Sequence, residues 1–359
     1  MNKLWRKLPP PLADSFGFLE MIRQTDGVGL IDDCSGYRLT KERRGGPDTR
    51  TVCSEIDSGD AVNGTREKVL DAFRKSFGNR KNTFGLLASG PCAAMIGTDL
   101  EEAASVLSEE FHIPVGVAKV TGQKNYDIGL SETMCALARL LCQEQEILPG
   151  SVNLIGGNRY DWKEGAVQKL RALLEQKGIP VIACPGGPLT ADEIRRMPAA
   201  AMNLVLTVSG LDTAKYLQKQ FGTPYTTLLN YERVRKEEWM QFLFPEIIQA
   251  VFSIQADHIL VISEQLTGNS IRWLMQKETE TENIKVATLF RLAKEFSEPE
   301  DVRLKSEEEI AACMQNGNYQ VVIGDPSLRG FAPKETEWVD LPHRAMFQFD
   351  ETRISDTGF

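Results

Sequence analysis

Histidine is nearly missing from this chain, with His112, His258 and His343 the only three in 359 residues. None forms a close metal-ligand pair with another, so a zinc hydrolase and a Ser–His–Asp triad have little support. Basic residues are also in deficit, 41 against 50 acidic ones, for a formal net charge of -9 and a pI near 5.2. A general nucleic-acid binder needs a basic footprint, and none is present. No apolar run is long enough to span a bilayer, and Met1-Asn2-Lys3-Leu4-Trp5-Arg6-Lys7-Leu8, followed by three prolines, lacks the apolar core of a signal peptide. A cytoplasmic protein with no membrane association is expected. A Gly-x-x-x-x-Gly-Lys-Ser/Thr loop is missing too, so the chain is not expected to hydrolyse ATP itself. Disulfide-framework spacing is absent, and the seven cysteines are an odd number. In a reducing compartment such thiols stay free or bind metal.

What is present is ordinary globular material, 42% hydrophobic and 25% charged, in a length that exceeds one hydrophobic core. From about Asp26 short apolar runs alternate with amphipathic stretches that open on capping residues, the pattern of βα units on parallel sheets. It recurs three times. The first block places a capping box at Thr98 and Glu101, with Leu100, Ala103, Ala104, Leu107 and Phe111 on one helical face and a strand from Ile113 to Val117. The second has a strand from Val152 to Gly157, a helix from Asp161 to Gly178, a short helix capped by Thr190 and Glu193, and a strand from Met202 to Val208. The third has a strand from His258 to Ile262, a polar turn from Ser263 to Ser270, a helix through Trp273, a strand from Ile284 to Leu289, a helix capped by Ser306 and Glu309, and a strand from Tyr319 to Ile323.

The fold class is therefore α/β, with three Rossmann-like domains built on mostly parallel sheets. Expected boundaries are an N-terminal extension over 1–25, α/β domains over 26–149, 150–248 and 249–345, and a tail over 346–359. Such sheets bind ligands at the carboxyl ends of their strands, which points to loops bearing Cys34, Cys92, Cys184, Ser209 and Glu264.

Three cysteines of the first block stand at or near strand or loop edges: Cys34 after Val28–Asp33, Cys53 after Thr51-Val52, and Cys92 after Phe84–Pro91. Thiolates are the usual protein ligands of iron–sulfur clusters, so the three together suit a cluster better than any one does. A single cysteine can equally be a small buried hydrophobe, the reading given to Cys135, Cys142 and Cys313 on helical faces. Asp33, beside Cys34, reads as a turn residue, and as a carboxylate ligand only through the family resemblance given below. Cys184 ends a strand in a Cys-Pro-Gly-Gly loop that either meets a substrate or merely turns the chain. Arg38, Lys41, Arg43, Arg44 and Arg50 form a basic segment, read as a solvated loop or as a receiver of carboxylates. Glu264 reads as a cleft carboxylate or as a helix cap.

The segment Ser89-Gly90-Pro91-Cys92-Ala93-Ala94-Met95-Ile96-Gly97-Thr98-Asp99-Leu100 resembles the signature of nitrogenase component 1 and its relatives, in which a cysteine precedes Ile-Gly-Asp-Asp. Cys53 through Lys68 and Ala199–Leu206 are similar to further stretches of that family, and the likeness covers roughly Gly27 to Asp325. The family includes nitrogenase catalytic subunits, cofactor-assembly scaffolds, dark protochlorophyllide and chlorophyllide reductases and a nickel-tetrapyrrole reductive cyclase. The resemblance implies three Rossmann-like domains and an iron–sulfur cluster, of [4Fe-4S] type, on Cys34, Cys53 and Cys92. It also implies a homodimer or a paralogous partner subunit, and a separate ATP-dependent iron–sulfur reductase as electron donor. The implied activity is reduction of an unidentified substrate, a metallocofactor or tetrapyrrole among the possibilities, in an interdomain cleft with Cys184, Ser209 and Glu264 as candidate lining residues. A non-catalytic scaffold or carrier for a metal cluster or tetrapyrrole is the alternative. Two departures argue against nitrogen fixation and the double-sized cluster. The stretch before Cys34 is too short for the upstream cysteine, and Thr207 falls where the cofactor cysteine is expected, with no histidine around Asp325-Pro326.

Overall fold

The computed structural model describes residues 6–36, 50–77, 83–184, 188–243, 245–251, 253–279 and 281–346. Arg38, Lys41, Arg43 and Arg44 of the basic segment, and the Pro185-Gly186-Gly187 turn, lie outside them. The chain forms two compact units, one from Ala13 to Leu243 and one combining Met1–Leu12 with Phe244–Phe359.

The Ala13–Leu243 unit carries two parallel sheets. In the first, the order is β2 (Thr51–Cys53), β1 (Val28–Asp32), β3 (Gly85–Ser89), β4 (Val115–Val117). All five residues of β1 are buried, as expected of a strand covered on both faces. One face packs on Val69, Leu70 and Phe73 of helix Arg66–Phe77 and on Leu100, Ala103, Ala104 and Leu107 of helix Leu100–Phe111. On the other face Gly29 lies against Phe18 and Ile22 of helix Asp14–Arg23. The second sheet runs β5 (Leu148–Ile155), β6 (Ala200–Val205), β7 (Tyr225–Thr227), with Val181 bridging to Val152 on the outer side of β5.

The other unit holds a five-stranded parallel sheet in the order β10 (Val302–Arg303), β9 (Asn283–Thr288), β8 (His258–Ile262), β11 (Val321–Gly324), β12 (Glu337–Asp340). This order winds outward in both directions from its first strand, the arrangement of a doubly wound sheet. The α/β class with parallel sheets is thus what the alternating pattern implied.

Several local readings shift. Thr98 is not the cap of helix Leu100–Phe111; Asp99 is, accepting from the Glu101 N–H at 2.9 Å, while the Thr98 hydroxyl donates to the Ala93 carbonyl. The helix expected from Asp161 begins at Ala166, because Asn158 accepts the N–H groups of Tyr160 and Asp161 and holds that stretch as a turn. The polar stretch read as a turn from Ser263 is helical from Gln265, with Glu264 accepting the Thr267 N–H at 2.9 Å. Helix Asp14–Arg23 was not anticipated.

Candidate metal centre

Parallel pairing explains how residues far apart in sequence reach one place. In register, Ile31 faces Cys53 and Asp32 faces Ser89, so the carboxyl ends of β1, β2 and β3 share one edge of the sheet. Cys34 stands two residues beyond the end of β1, and Cys92 three beyond the end of β3, after the Gly90-Pro91 step into helix Pro91–Ile96. The two sulfurs come within 3.6 Å of each other. A carboxylate oxygen of Asp33 joins them, all three donor atoms lying within 4.8 Å of one another. Asp33 is buried, Cys34 half-buried and Cys92 exposed, so the cluster of donors opens to solvent on one side.

The orientation of Asp33 is set from two directions. Its Oδ1 accepts the Cys92 N–H at 3.0 Å. Gly90 presses on its other side, where any Cβ would fall inside the carboxylate. Beneath, the fully buried Asp32 accepts hydroxyl bonds from Ser54 at 2.6 Å and Thr65 at 2.7 Å, and the Ser54 oxygen in turn accepts the Asp33 N–H at 3.1 Å. Burial raises the Asp32 pKa although these hydroxyls favour its charged form. Ser54 and Thr65 escaped the sequence reading. The paired acids at a strand end were visible, but partners 22 and 33 residues away were not.

Cys53 sits at the level of Ile31, within the sheet rather than past its edge. Its thiol donates to the Asp33 carbonyl at 3.3 Å and the Cys34 carbonyl at 3.6 Å, so it braces the same loop from behind. Burial pushes the Cys53 thiol up to about 11. The Cys92 thiol is pushed up to about 12, chiefly by its hydrogen bond to the Asp33 carboxylate and then by that to Cys34. Both thiols are therefore protonated at neutral pH, and a bound metal must displace those protons. Two thiols and a carboxylate at this spacing could hold a metal ion through sulfur and oxygen.

The remaining candidates are not among these three donors. Cys184 is buried just after Ala183, whose carbonyl accepts the Leu154 N–H at 2.9 Å, and burial pushes its thiol up to about 12. Ser209 is buried, its hydroxyl 2.7 Å from that of Thr207. Glu264 is buried in the other unit and caps helix Gln265–Thr279. Among the remaining cysteines, Cys135 is buried in helix Tyr126–Leu141, and Cys142 at its end donates to the Ile194 carbonyl at 3.2 Å.

Residues 34–232 match the family described as nitrogenase component 1 type oxidoreductase. No curated protein sequence matches the chain. Two of the solved structures that are similar in fold show the extent of the likeness. One is described as nitrogenase Cp1 at pH 6.5, with a TM-score of 0.73 and 14% identity over 98% of this chain and 89% of that one. The other is described as nitrogenase Cp1 at pH 5, with a TM-score of 0.63 and 15% identity over 96% of this chain and 78% of that one. At such identities the likeness establishes the fold.

Proposed function

Because the chain belongs to the nitrogenase component 1 type oxidoreductase family, we propose that it is the electron-accepting component of a two-component redox system. Its iron–sulfur cluster, of [4Fe-4S] type, is held by Cys34 and Cys92, with Cys53 and Asp33 as the further donors on this chain. The observation that carries this reading is the 3.6 Å approach of the Cys34 and Cys92 sulfurs beside the Asp33 carboxylate. When bound, such a cluster stores and passes single electrons at a potential set by its charge, hydrogen bonds to sulfur and solvent exposure.

The chain's own residues do the positioning. Asp32, Ser54 and Thr65 lock the end of β1, while the Cys92 N–H and Gly90 fix Asp33. The solvent-facing side of the donors is where a second subunit, identical or paralogous, completes the ligand set. Met95 and Ile96, on the same helix as Cys92, are 80% and 42% exposed, as suits a surface that another subunit covers. Electrons arrive from an ATP-dependent iron–sulfur reductase and leave to a substrate, for which Cys184 and Ser209 of the Ala13–Leu243 unit are candidate contacts. A metallocofactor or tetrapyrrole is the substrate class the family suggests.

The test is anaerobic reconstitution with iron and sulfide, followed by mixing with an ATP-dependent iron–sulfur reductase and MgATP. Bleaching of the visible absorption that requires ATP supports the electron-accepting role. A loaded cluster that the reductase never reduces, even with a tetrapyrrole present, would favour a scaffold or carrier instead.

A further inference from the structure

The fold sets two thiols in contact. The Cys92 thiol donates to the Cys34 sulfur at 3.6 Å, although the residues stand 58 positions apart in sequence. The strands they follow, β1 and β3, are hydrogen-bonded neighbours in which Asp32 pairs with Ser89. Neighbouring strands run about 4.8 Å apart, within the roughly 4.4–6.8 Å between Cα atoms that a disulfide spans. The two main chains thus leave the sheet at a separation such a bond can bridge, and the sulfurs need to close to about 2.0 Å. Space is open around them: Cys92 is exposed, and a Cβ at Gly36 would meet nothing within 4 Å but the Cys34 sulfur, at 3.9 Å.

All seven cysteines are free thiols, and the other five are buried or turned to other partners. Cys53 donates to the Asp33 and Cys34 carbonyls, and Cys142 to the Ile194 carbonyl. Cys313 hydrogen-bonds with Tyr319, while Cys135 and Cys184 are buried.

We propose that Cys34 and Cys92 form a reversible disulfide with each other under oxidising conditions, and that this bond gates the metal centre. The oxidant is a small-molecule disulfide such as oxidised glutathione. The sulfur of the exposed Cys92 attacks it, joins one glutathione and releases the other as a thiol. The Cys34 sulfur then attacks the Cys92 sulfur, and the second glutathione leaves. Two protein thiols are oxidised, one glutathione disulfide is reduced, and the two thiol protons end on the two glutathione molecules. Neither sulfur is then available as a thiolate, so of the three donors the Asp33 carboxylate alone remains for a metal. A dithiol reverses the exchange, and in a reducing compartment such bonds are transient and redox-sensing. The disulfide rests on the contact between the sulfurs; the gate rests also on the metal reading proposed above.

The test uses the full chain, freed of metal with a chelator under argon and incubated with oxidised glutathione. Incubation runs to a plateau, because the raised Cys92 pKa slows the first attack. Thiols titrated in denaturant should fall by two from seven. Peptide mass mapping should find Cys34 joined to Cys92, and dithiothreitol should undo the link. The same link is expected in Cys53→Ser, whereas in Cys34→Ser the reaction should stop with glutathione on Cys92. Cobalt(II), added without sulfide, should give thiolate-to-metal absorption in the reduced chain that is at least about tenfold weaker in the oxidised one. No Cys34–Cys92 link at the plateau, or glutathione retained on Cys92 of the parent, would overturn the disulfide. An oxidised chain that binds cobalt through sulfur as the reduced chain does would overturn the gate. If the link forms but the reduced chain takes no cobalt, the metal reading and its gate fail and the disulfide stands.

Discussion

At the scale of single residues, Asp33 is where the account is most exposed. Its carboxylate is placed by the Cys92 N–H and by the missing side chain of Gly90. Gly90→Ala must displace that carboxylate, and we expect reduced iron retention with unchanged far-ultraviolet circular dichroism; full retention would show that the Asp33 orientation does not matter. Cys53→Ala removes a thiol that donates to two carbonyls of the ligand loop. Iron loss equal to that of Cys34→Ala makes Cys53 a ligand, and a milder loss leaves it a brace. That Cys34 and Cys92 stand close together follows from the two neighbouring strands they come after, Cys34 past β1 and Cys92 in the first turn of the helix after β3. The Asp32–Ser54–Thr65 network was not legible in the sequence, since it joins three segments that only parallel register brings together.

Elements were legible where a local signal fixed them. The capping box at Thr190 and Glu193 and the Ser306 cap are as the sequence indicated, because side chain and backbone three residues apart meet without help from the rest of the fold. Helix Asp14–Arg23 gave no such signal. Nine of its ten residues are buried, so it lacks the polar face that reveals an amphipathic helix. It meets helix Tyr126–Leu141 almost backbone to backbone, and a Cβ at Gly129 would run into the Asp14 carbonyl. Gly129→Ala should cost about 1–3 kcal/mol in a denaturant titration, the usual scale of overpacking; a loss within error would refute the tight crossing. In the other unit, Glu307 clasps three successive N–H groups, of Arg6 at 3.0 Å and of Lys7 and Leu8 at 2.7 Å. Burial opposes its charge, but the three donors outweigh that and hold its pKa below the usual value. A depressed folded pKa contributes stability that is complete above the unfolded carboxyl pKa, about 4.3, and is lost as pH falls through the folded one. Glu307→Gln should therefore lower the thermal midpoint at neutral pH, and the gap to the parent should narrow in acid. A gap that stays constant would contradict this.

At the scale of the whole molecule, the alternation of apolar runs and capped helices was enough to give the α/β class, because a parallel strand buried on both faces reads as a short continuous apolar run. That class places the chain ends that matter at one edge of each sheet. It gathers two thiols and a carboxylate at the carboxyl edge of the first sheet. The whole account turns on iron held where Cys34 and Cys92 meet. Iron and acid-labile sulfide should be measured per chain after anaerobic purification of the parent, Cys34→Ala and Cys92→Ala. The account predicts a coloured parent containing both elements and near-complete loss of both from either variant; a colourless parent, or variants that keep the parent's iron and sulfide, would contradict it.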